Sequence, residues 1–377
     1  MRMLPEILSE FAEIAANPKT RFENYLKQGK KIIGCMPYFC PEELVHAAGM
    51  IPFGLWGAET QVSEARRYLP AFICSILQTT LELGIKGAYE GLSAVMIPIL
   101  CDSLKSMDGN WRYGVKNIPV IPVAHAQNRK TPAGARFTAS QYRKVKEKLE
   151  EISGRSIDDK DISESISLYN KRNAAVRRFI DELCRNPGVL KASERNAVFK
   201  SGYFMDAAEF TEKVDELADC IAAAPPASRS GPCLVTCGIL VDNTGLLRIL
   251  DECGVNIIDD VVMHESLRYR FDTPEADDPI MSLALLLGEV EGCPILFDPG
   301  KKRADMLAGI VERRSADGVL FVTTKFCDPE EYDIVPLKRI LDKNGIKNLQ
   351  VEVDQQTTDI EQIRTAIETF CELLALT

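Results

Sequence analysis

The sequence predicts an α/β protein with two parallel-sheet domains joined by a helical segment. Three observations carry this. Apolar strand-like runs alternate with helical patterns up to about residue 132. Between residues 133 and 224 no strand-like run stands out, and charge is dense. The alternation then resumes to the end of the chain. Strands that alternate with helices favour a parallel sheet covered on both faces, because each crossover helix packs back onto the sheet.

Each element has a local reason. The first 28 residues read as two short helices broken near Asn17-Pro18, since proline cannot continue a helix from within. A strand is predicted over Lys31–Tyr38, a helix opening at Pro41-Glu42-Glu43, and a second strand over Met50–Leu55. Proline and acidic residues suit a first helical turn, where N–H groups lack acceptors and the dipole is positive. A helix fits Ser75–Tyr89, and strands fit Ala94–Leu100 and Ile118–Val123. Helical periodicity marks Gln141–Ile152, Ile162–Cys184 and Thr211–Ala223, and Ala224–Pro232 is a linker by composition. Strands are then predicted at Leu234–Val241, Val255–Ile258, Pro294–Phe297, Gly318–Thr324 and Asn348–Val353, with a last helix from about Asp359. The expected organisation is an α/β domain over residues 1–132, a helical connector over 133–228, and a second α/β domain over 229–377.

The totals exclude several classes of function. A net charge of -10 disfavours nucleic acid, because an acidic surface repels phosphate backbones. No stretch reaches the roughly 18 apolar residues of a membrane span. The N-terminal residues lack the basic-then-apolar order of a signal peptide and read as an amphipathic helix. A cytoplasmic location is therefore expected, and twelve cysteines there should not form structural disulfides.

Position sorts the cysteines. In open parallel sheets, sites form beyond the carboxyl ends of the strands. Cys40, Cys101 and Cys327 each follow a strand-like run and precede a helix start, and Cys74 also precedes a helix. Positive charge at a helix start favours thiolate over thiol, the form soft metals and iron–sulfur clusters require. The bland reading is that each is a small buried hydrophobe, and that reading is taken for the other eight. There is no C-x-x-C, no nucleotide-binding glycine pattern and no P-loop. With only His46, His125 and His264, a histidine-rich zinc site is not expected. His125 ends a strand, a position that suits a polar site role, and His46 reads as structural.

A short near-repeat links the two α/β parts. Phe39-Cys40-Pro41-Glu42-Glu43 echoes Phe326-Cys327-Asp328-Pro329-Glu330-Glu331. It suggests two related halves.

Five segments carry a resemblance: GCMPYFCPEELVHAAGMIPFGLWGA from Gly34, LPAFICSILQ from Leu69, PILCDSLK from Pro98, HAQNR from His125 and KFCDPEEYD from Lys325. Through them the chain resembles the beta subunits of (R)-2-hydroxyacyl-CoA dehydratases, in the family that includes benzoyl-CoA reductase. The resemblance covers nearly the whole chain. It implies two Rossmann-like domains and one [4Fe–4S] cluster per subunit, with Cys74, Cys101 and Cys327 as its three protein ligands. Cys40 lies in a matching segment but is not assigned as a ligand. Glu43 and His125 are the candidates for catalytic groups near the cluster, with Glu42, Arg129, Lys325 and Asp328 in neighbouring matched segments.

The resemblance also implies a reaction. Loss of water from a 2-hydroxyacyl-CoA requires removing a proton from C3, whereas the thioester acidifies C2. General acid–base catalysis contributes about 10²–10⁴-fold, far short of such a barrier. Adding one electron to the thioester gives a ketyl radical that expels the 2-hydroxyl and leaves an acidic C3–H, after which the electron is returned. The implied partners are an alpha subunit, in a heterodimer or heterotetramer, that binds most of the acyl-CoA, and an ATP-dependent iron–sulfur activator. A flavin in the complex is allowed by the resemblance without being required. The expectation is an oxygen-sensitive lyase subunit of anaerobic amino acid fermentation whose cluster relays or stores the electron. The alternatives are a subunit of an ATP-dependent aryl-CoA reductase, a non-catalytic electron-transfer or scaffold subunit, and a structural zinc protein using the same thiolates.

Overall fold

The computed structural model describes residues 2–227 and 231–376. It contains two four-stranded sheets. The first has the order β2-β1-β3-β4, built from β1 (Ile32–Cys35), β2 (Ile51–Gly54), β3 (Ala94–Ile99) and β4 (Val120–Ala124). The second has the order β6-β5-β7-β8, built from β5 (Cys233–Gly238), β6 (Asn256–Val262), β7 (Gly318–Thr324) and β8 (Asn348–Val353). Every pairing is parallel. Strands β1, β5, β6 and β7 are buried along their whole length, as strands covered on both faces must be.

The two sheets share one strand order, so the halves are related in topology. The near-repeat does not mark that relation. Cys40 follows β1, whose counterpart is β5, whereas Cys327 follows β7, whose counterpart is β3. The topological partner of Cys327 is therefore Cys101.

Strand ends differ from the sequence expectation for local reasons. The first strand stops at Cys35 because Tyr38 and Phe39 take positive φ values of 55° and 65°. The run Pro294–Phe297 is a loop, not a strand. It lies between Gly292, at φ 78°, and Pro299-Gly300. Its apolar character reflects burial of Cys293 and Leu296 in the second half's core, not ladder pairing. Part of the expected linker, residues 228–230, lies outside the described residues.

The helical region is denser than its periodicity suggests. It comprises α6 (Pro132–Ser153), α7 (Asp159–Arg185), α8 (Ala192–Ser201) and α9 (Ala207–Ala223). Helix α8 gave no sequence signal because Arg195 to Phe199 are buried consecutively, which erases any amphipathic period. The N-terminal helix α1 (Leu4–Ala16) packs here, setting Ile7 and Phe11 against Phe179, Phe199 and Phe210. Helix α2 (Pro18–Lys27) brings Phe22 and Tyr25 onto the first sheet. Helix α6 covers the other face of that sheet through Ala139, Tyr142 and Val145. So does α11 (Pro279–Glu289), which comes from the second half of the sequence and adds Ile280 and Leu283 to the same core. The first half's surroundings are thus shared with later segments. No described helix is long and apolar enough to cross a membrane.

Candidate functional site

Cys74, Cys101 and Cys327 occupy the same local position three times. Each is the residue before the first turn of a helix: α4 (Ser75–Ile85), α5 (Asp102–Gly114) and α13 (Asp328–Lys343). Cys101 and Cys327 come just after the carboxyl ends of β3 and β7. The chain is turned for this at Phe326, whose φ is 61°, and by the Cys327 N–H donating to the Thr324 carbonyl at 3.0 Å. The Cys101 sulfur accepts from the Leu104 N–H at 3.5 Å.

The three thiols meet at the junction of the halves. Cys74 and Leu100 pack against the cores of both sheets, Cys101 against the first and Cys327 against the second. Burial pushes the Cys74 thiol up to about 12, with the neighbouring Cys101 acting in the same direction. Burial pushes up Cys327 as well, reinforced by negative charge on Glu330, Cys74 and Cys101. Burial raises Cys101 too. Against this, backbone N–H groups pull down: those of Leu77 and Ile76 at Cys74, Leu104 and Ser103 at Cys101, and Glu330 at Cys327.

This donor set fits an iron–sulfur cluster on chemical grounds. Three partly buried sulfurs that repel one another as thiolates, each facing N–H groups at a helix start, suit a cationic iron core that neutralises them. Among the described residues no group of three or more His, Cys, Asp or Glu is placed to hold a metal ion. A four-iron cube makes a different demand from a single ion, because each thiolate meets a separate iron and the sulfurs stand farther apart.

Groups that sequence reasoning missed support the cysteine loops. Arg303 is buried and donates to Asp333 at 3.3 Å and to the Cys237 sulfur at 3.2 Å, with Glu330 at 3.8 Å. Glu330 in turn accepts from the Thr324 N–H at 2.9 Å, so it ties the first turn of α13 to the end of β7. Burial raises its carboxyl to about 7, with Arg303 opposing. Gln355, just after β8, reaches across to the first half. It donates to the Trp56 carbonyl at 2.8 Å, accepts from the Thr79 hydroxyl at 2.7 Å, and its N–H meets the Ser75 hydroxyl at 3.2 Å. The helix that Cys74 heads is thereby fastened to the half that carries Cys327.

The other candidates are dispersed. His125 holds the turn before Cys40: its Nε2 meets the Phe39 carbonyl at 3.1 Å and the Tyr142 hydroxyl at 3.3 Å. Because a carbonyl can only accept, Nε2 carries the proton. Burial lowers the imidazole to about 4, so it is neutral near pH 7. Phe39 itself packs against the apolar core that also takes in Cys74 and Cys327. Glu43 is buried and lines a cavity at the end of β1, and burial raises its carboxyl. Glu42 lines the same cavity and pairs with Arg268 and, at 3.5 Å, with Arg172. Arg129 is fastened to α11, donating to the Gly288 carbonyl at 3.0 Å. Lys325 sits over the Phe326 ring, and Asp328 opens α13. The Cys40 thiol turns to the Met36 and Met96 carbonyls. His46 is structural, bonded to the Ser165 hydroxyl at 2.7 Å.

Comparison with known proteins agrees along the whole chain. The family model described as 2-hydroxyglutaryl-CoA dehydratase, D-component, matches residues 37–374. The chain is 45% identical over 370 residues to the (R)-phenyllactyl-CoA dehydratase beta subunit of Clostridium sporogenes, covering 98% of this chain and 99% of that one. It is 38% identical over 374 residues to the (R)-2-hydroxyglutaryl-CoA dehydratase beta subunit of Acidaminococcus fermentans, covering 98% and 99%. It is 24% identical over 355 residues to a benzoyl-CoA reductase subunit of Thauera aromatica, covering 92% of each. With matches of this extent to its family model and its relatives, the chain belongs to the 2-hydroxyglutaryl-CoA dehydratase D-component family.

Proposed function

We propose that this chain is the beta subunit of an (R)-2-hydroxyacyl-CoA dehydratase and that Cys74, Cys101 and Cys327 hold a [4Fe–4S] cluster in it. The observation that carries the reading is the gathering of three thiols, from three separate helix starts in two halves, within reach of one another's charge. Bound there, the cluster would supply one-electron storage and transfer at low potential, which the removal of water from a 2-hydroxyacyl-CoA requires.

The chain's own residues have defined tasks in this reading. The N–H groups of Ile76, Leu77, Ser103, Leu104 and Glu330 face the sulfurs and favour their thiolate form. Leu100 and Phe39 share the apolar cluster of Cys74 and Cys327 and would limit water near the thiols. Arg303, Glu330 and Gln355 fix the loops that carry them. The beta-subunit names of the relatives imply an alpha subunit as partner. An ATP-dependent iron–sulfur activator is part of the same proposal, as is a cytoplasmic, anaerobic setting.

The test is co-purification with the partner subunit under anoxia, followed by iron and sulfide analysis and assay on 2-hydroxyacyl-CoA esters. A single catalytic activation should support many turnovers to the 2-enoyl-CoA, and Cys→Ser at any of the three positions should remove this chain's iron. Consumption of reductant in proportion to product would identify a reductase of the benzoyl-CoA type instead. A chain with no iron and sulfide, purified intact, would overturn the cluster.

A further inference from the structure

Where β1 ends, a cavity of about 80 Å³ lies between the two halves. On the same measure one water needs about 10–15 Å³, so the space takes several waters or one small organic molecule. Its two sides differ in chemistry. Leu283, Leu287 and Val290, on and just after α11, form an apolar wall. Arg172 and Arg268 form a cationic one, with side chains 7% and 6% exposed.

The two guanidinium groups are held rigidly. Arg268 lies over the Tyr203 ring at 4.4 Å and Arg172 over the Tyr169 ring at 4.1 Å. Both pair with the single carboxylate of Glu42. Glu43, a second carboxyl lining the cavity, is buried, and burial raises its pKa, with Arg172 and Arg268 opposing. Two buried guanidinium groups thus share one directly paired carboxylate, and buried charges are ordinarily paired. Three donors there have no hydrogen-bond partner among the described residues: Arg268 Nη1, Arg172 Nε and the Tyr169 hydroxyl.

We propose that this cavity binds a small monocarboxylate with a short apolar tail, its carboxylate facing Arg268 and Tyr169 and its tail lying on the α11 wall. A planar guanidinium matches a carboxylate edge, a bound carboxylate gives the unpartnered donors an anionic acceptor, and the leucines accept the alkyl part. None of Cys74, Cys101 and Cys327 lines the cavity, although Phe39, which shares their apolar cluster, does.

Calorimetric titration of the intact complex with isovalerate, isovaleramide and inorganic phosphate tests it. Isovalerate should bind one site on this chain and raise its melting temperature. Isovaleramide should bind at least about tenfold more weakly, since it lacks the charge the arginines match. Leu286 lines the cavity and is only partly buried, so Leu286→Trp should fill the space and abolish isovalerate binding while the complex still assembles. The proposal is overturned if isovalerate does not bind, if the amide binds equally well, or if Leu286→Trp leaves binding intact. Phosphate binding as tightly as isovalerate would also overturn it, by showing that the apolar wall has no role. The acid–amide comparison needs no variant and decides the matter even if Leu286→Trp fails to fold.

Discussion

Phe326 and Phe39 share an unusual backbone state: φ is 61° in one and 65° in the other, and each stands one residue ahead of a cysteine that leads into a helix. Left-handed backbone costs a non-glycine residue about 1–2 kcal/mol, and more when the side chain is β-branched. At Phe326 the strain turns the chain from the end of β7 so that Cys327 faces Cys74 and Cys101. Phe326→Asn, a residue that tolerates this conformation, should keep stability and, in the proposed cluster-bound protein, iron content. Phe326→Val should lower stability by about 1–2 kcal/mol relative to the Asn variant, and should lose iron on anaerobic gel filtration. The Phe326 ring is 39% exposed, so loss of its packing does not dominate the comparison. Equal urea midpoints for the two variants would show that the turn is not strained.

Gly57 makes the tie between the halves possible. Its φ is 76°, and a Cβ there would lie 2.0 Å from the Thr79 hydroxyl and 2.7 Å from Gln355 Oε1. Gly57→Ala should therefore cost about 1–3 kcal/mol in backbone strain alone, and it should also push Gln355 off Thr79. Gln355→Leu should cost about 1–3 kcal/mol because it leaves the buried Trp56 carbonyl without its donor. With the proposed cluster bound, both variants should release iron faster than the wild type when incubated with a chelator under anoxia, since Cys74 and Cys327 would no longer be held in one frame. Unchanged chelation rates alongside a loss of stability would limit the network to a structural role.

The cysteine loops were legible in the sequence because their signals are local. A thiol between an apolar run and a helix start can be read from a dozen consecutive residues at Cys40, Cys101 and Cys327, and one before a helix at Cys74. The choice of Cys74, Cys101 and Cys327 among these came from the family resemblance. The supporting groups were not legible, because their partners are remote. Gln355 meets Trp56 from 299 positions away, and Arg268 meets Glu42 from 226. Nothing next to either residue signals the pairing. Helix α8 and the loop at Pro294–Phe297 failed for a shared reason. Burial on every side removes the alternation that separates helix from strand from loop, so apolar content reported depth without reporting geometry.

Arg195 of α8 is one of the most deeply buried charges. Its guanidinium pairs with Asp260 of β6 and with Glu265, and all three are at most 2% exposed. It also lies over the Phe199 ring at 4.7 Å. Removing the arginine would leave two carboxylates buried without a counter-charge. Arg195→Met should therefore destabilise the protein by about 3–5 kcal/mol, the usual result of breaking a buried pair from one side. Glu265→Gln should cost much less, because Asp260 still neutralises the guanidinium and the amide oxygen can still accept from it. Burial already pushes the Glu265 carboxyl upward, with Arg195 opposing, which marks it as the more dispensable of the two acids. Urea denaturation followed by circular dichroism reads both. A larger loss for Glu265→Gln than for Arg195→Met would contradict this ordering.

His125 links stability to pH. Burial lowers its imidazole to about 4 in the folded chain, with only the Phe39 carbonyl opposing, against an ordinary value near 6.5. Between these two values the unfolded chain binds the proton more readily than the folded one, so stability rises with pH across the window. Its contribution is therefore complete above about pH 6.5 and is lost progressively as the pH falls toward 4. Below that, both states are protonated and this residue adds no further slope. His125→Gln has no proton to gain and can still donate to the Phe39 carbonyl. It should melt at a temperature close to wild type at pH 7.5 and at a higher one at pH 4.5. Melting curves for both proteins at half-unit steps from pH 4.5 to 7.5 would show the difference closing as the pH rises. Parallel curves across the whole range would mean that another group sets the acid sensitivity and that the imidazole is not held neutral by its burial.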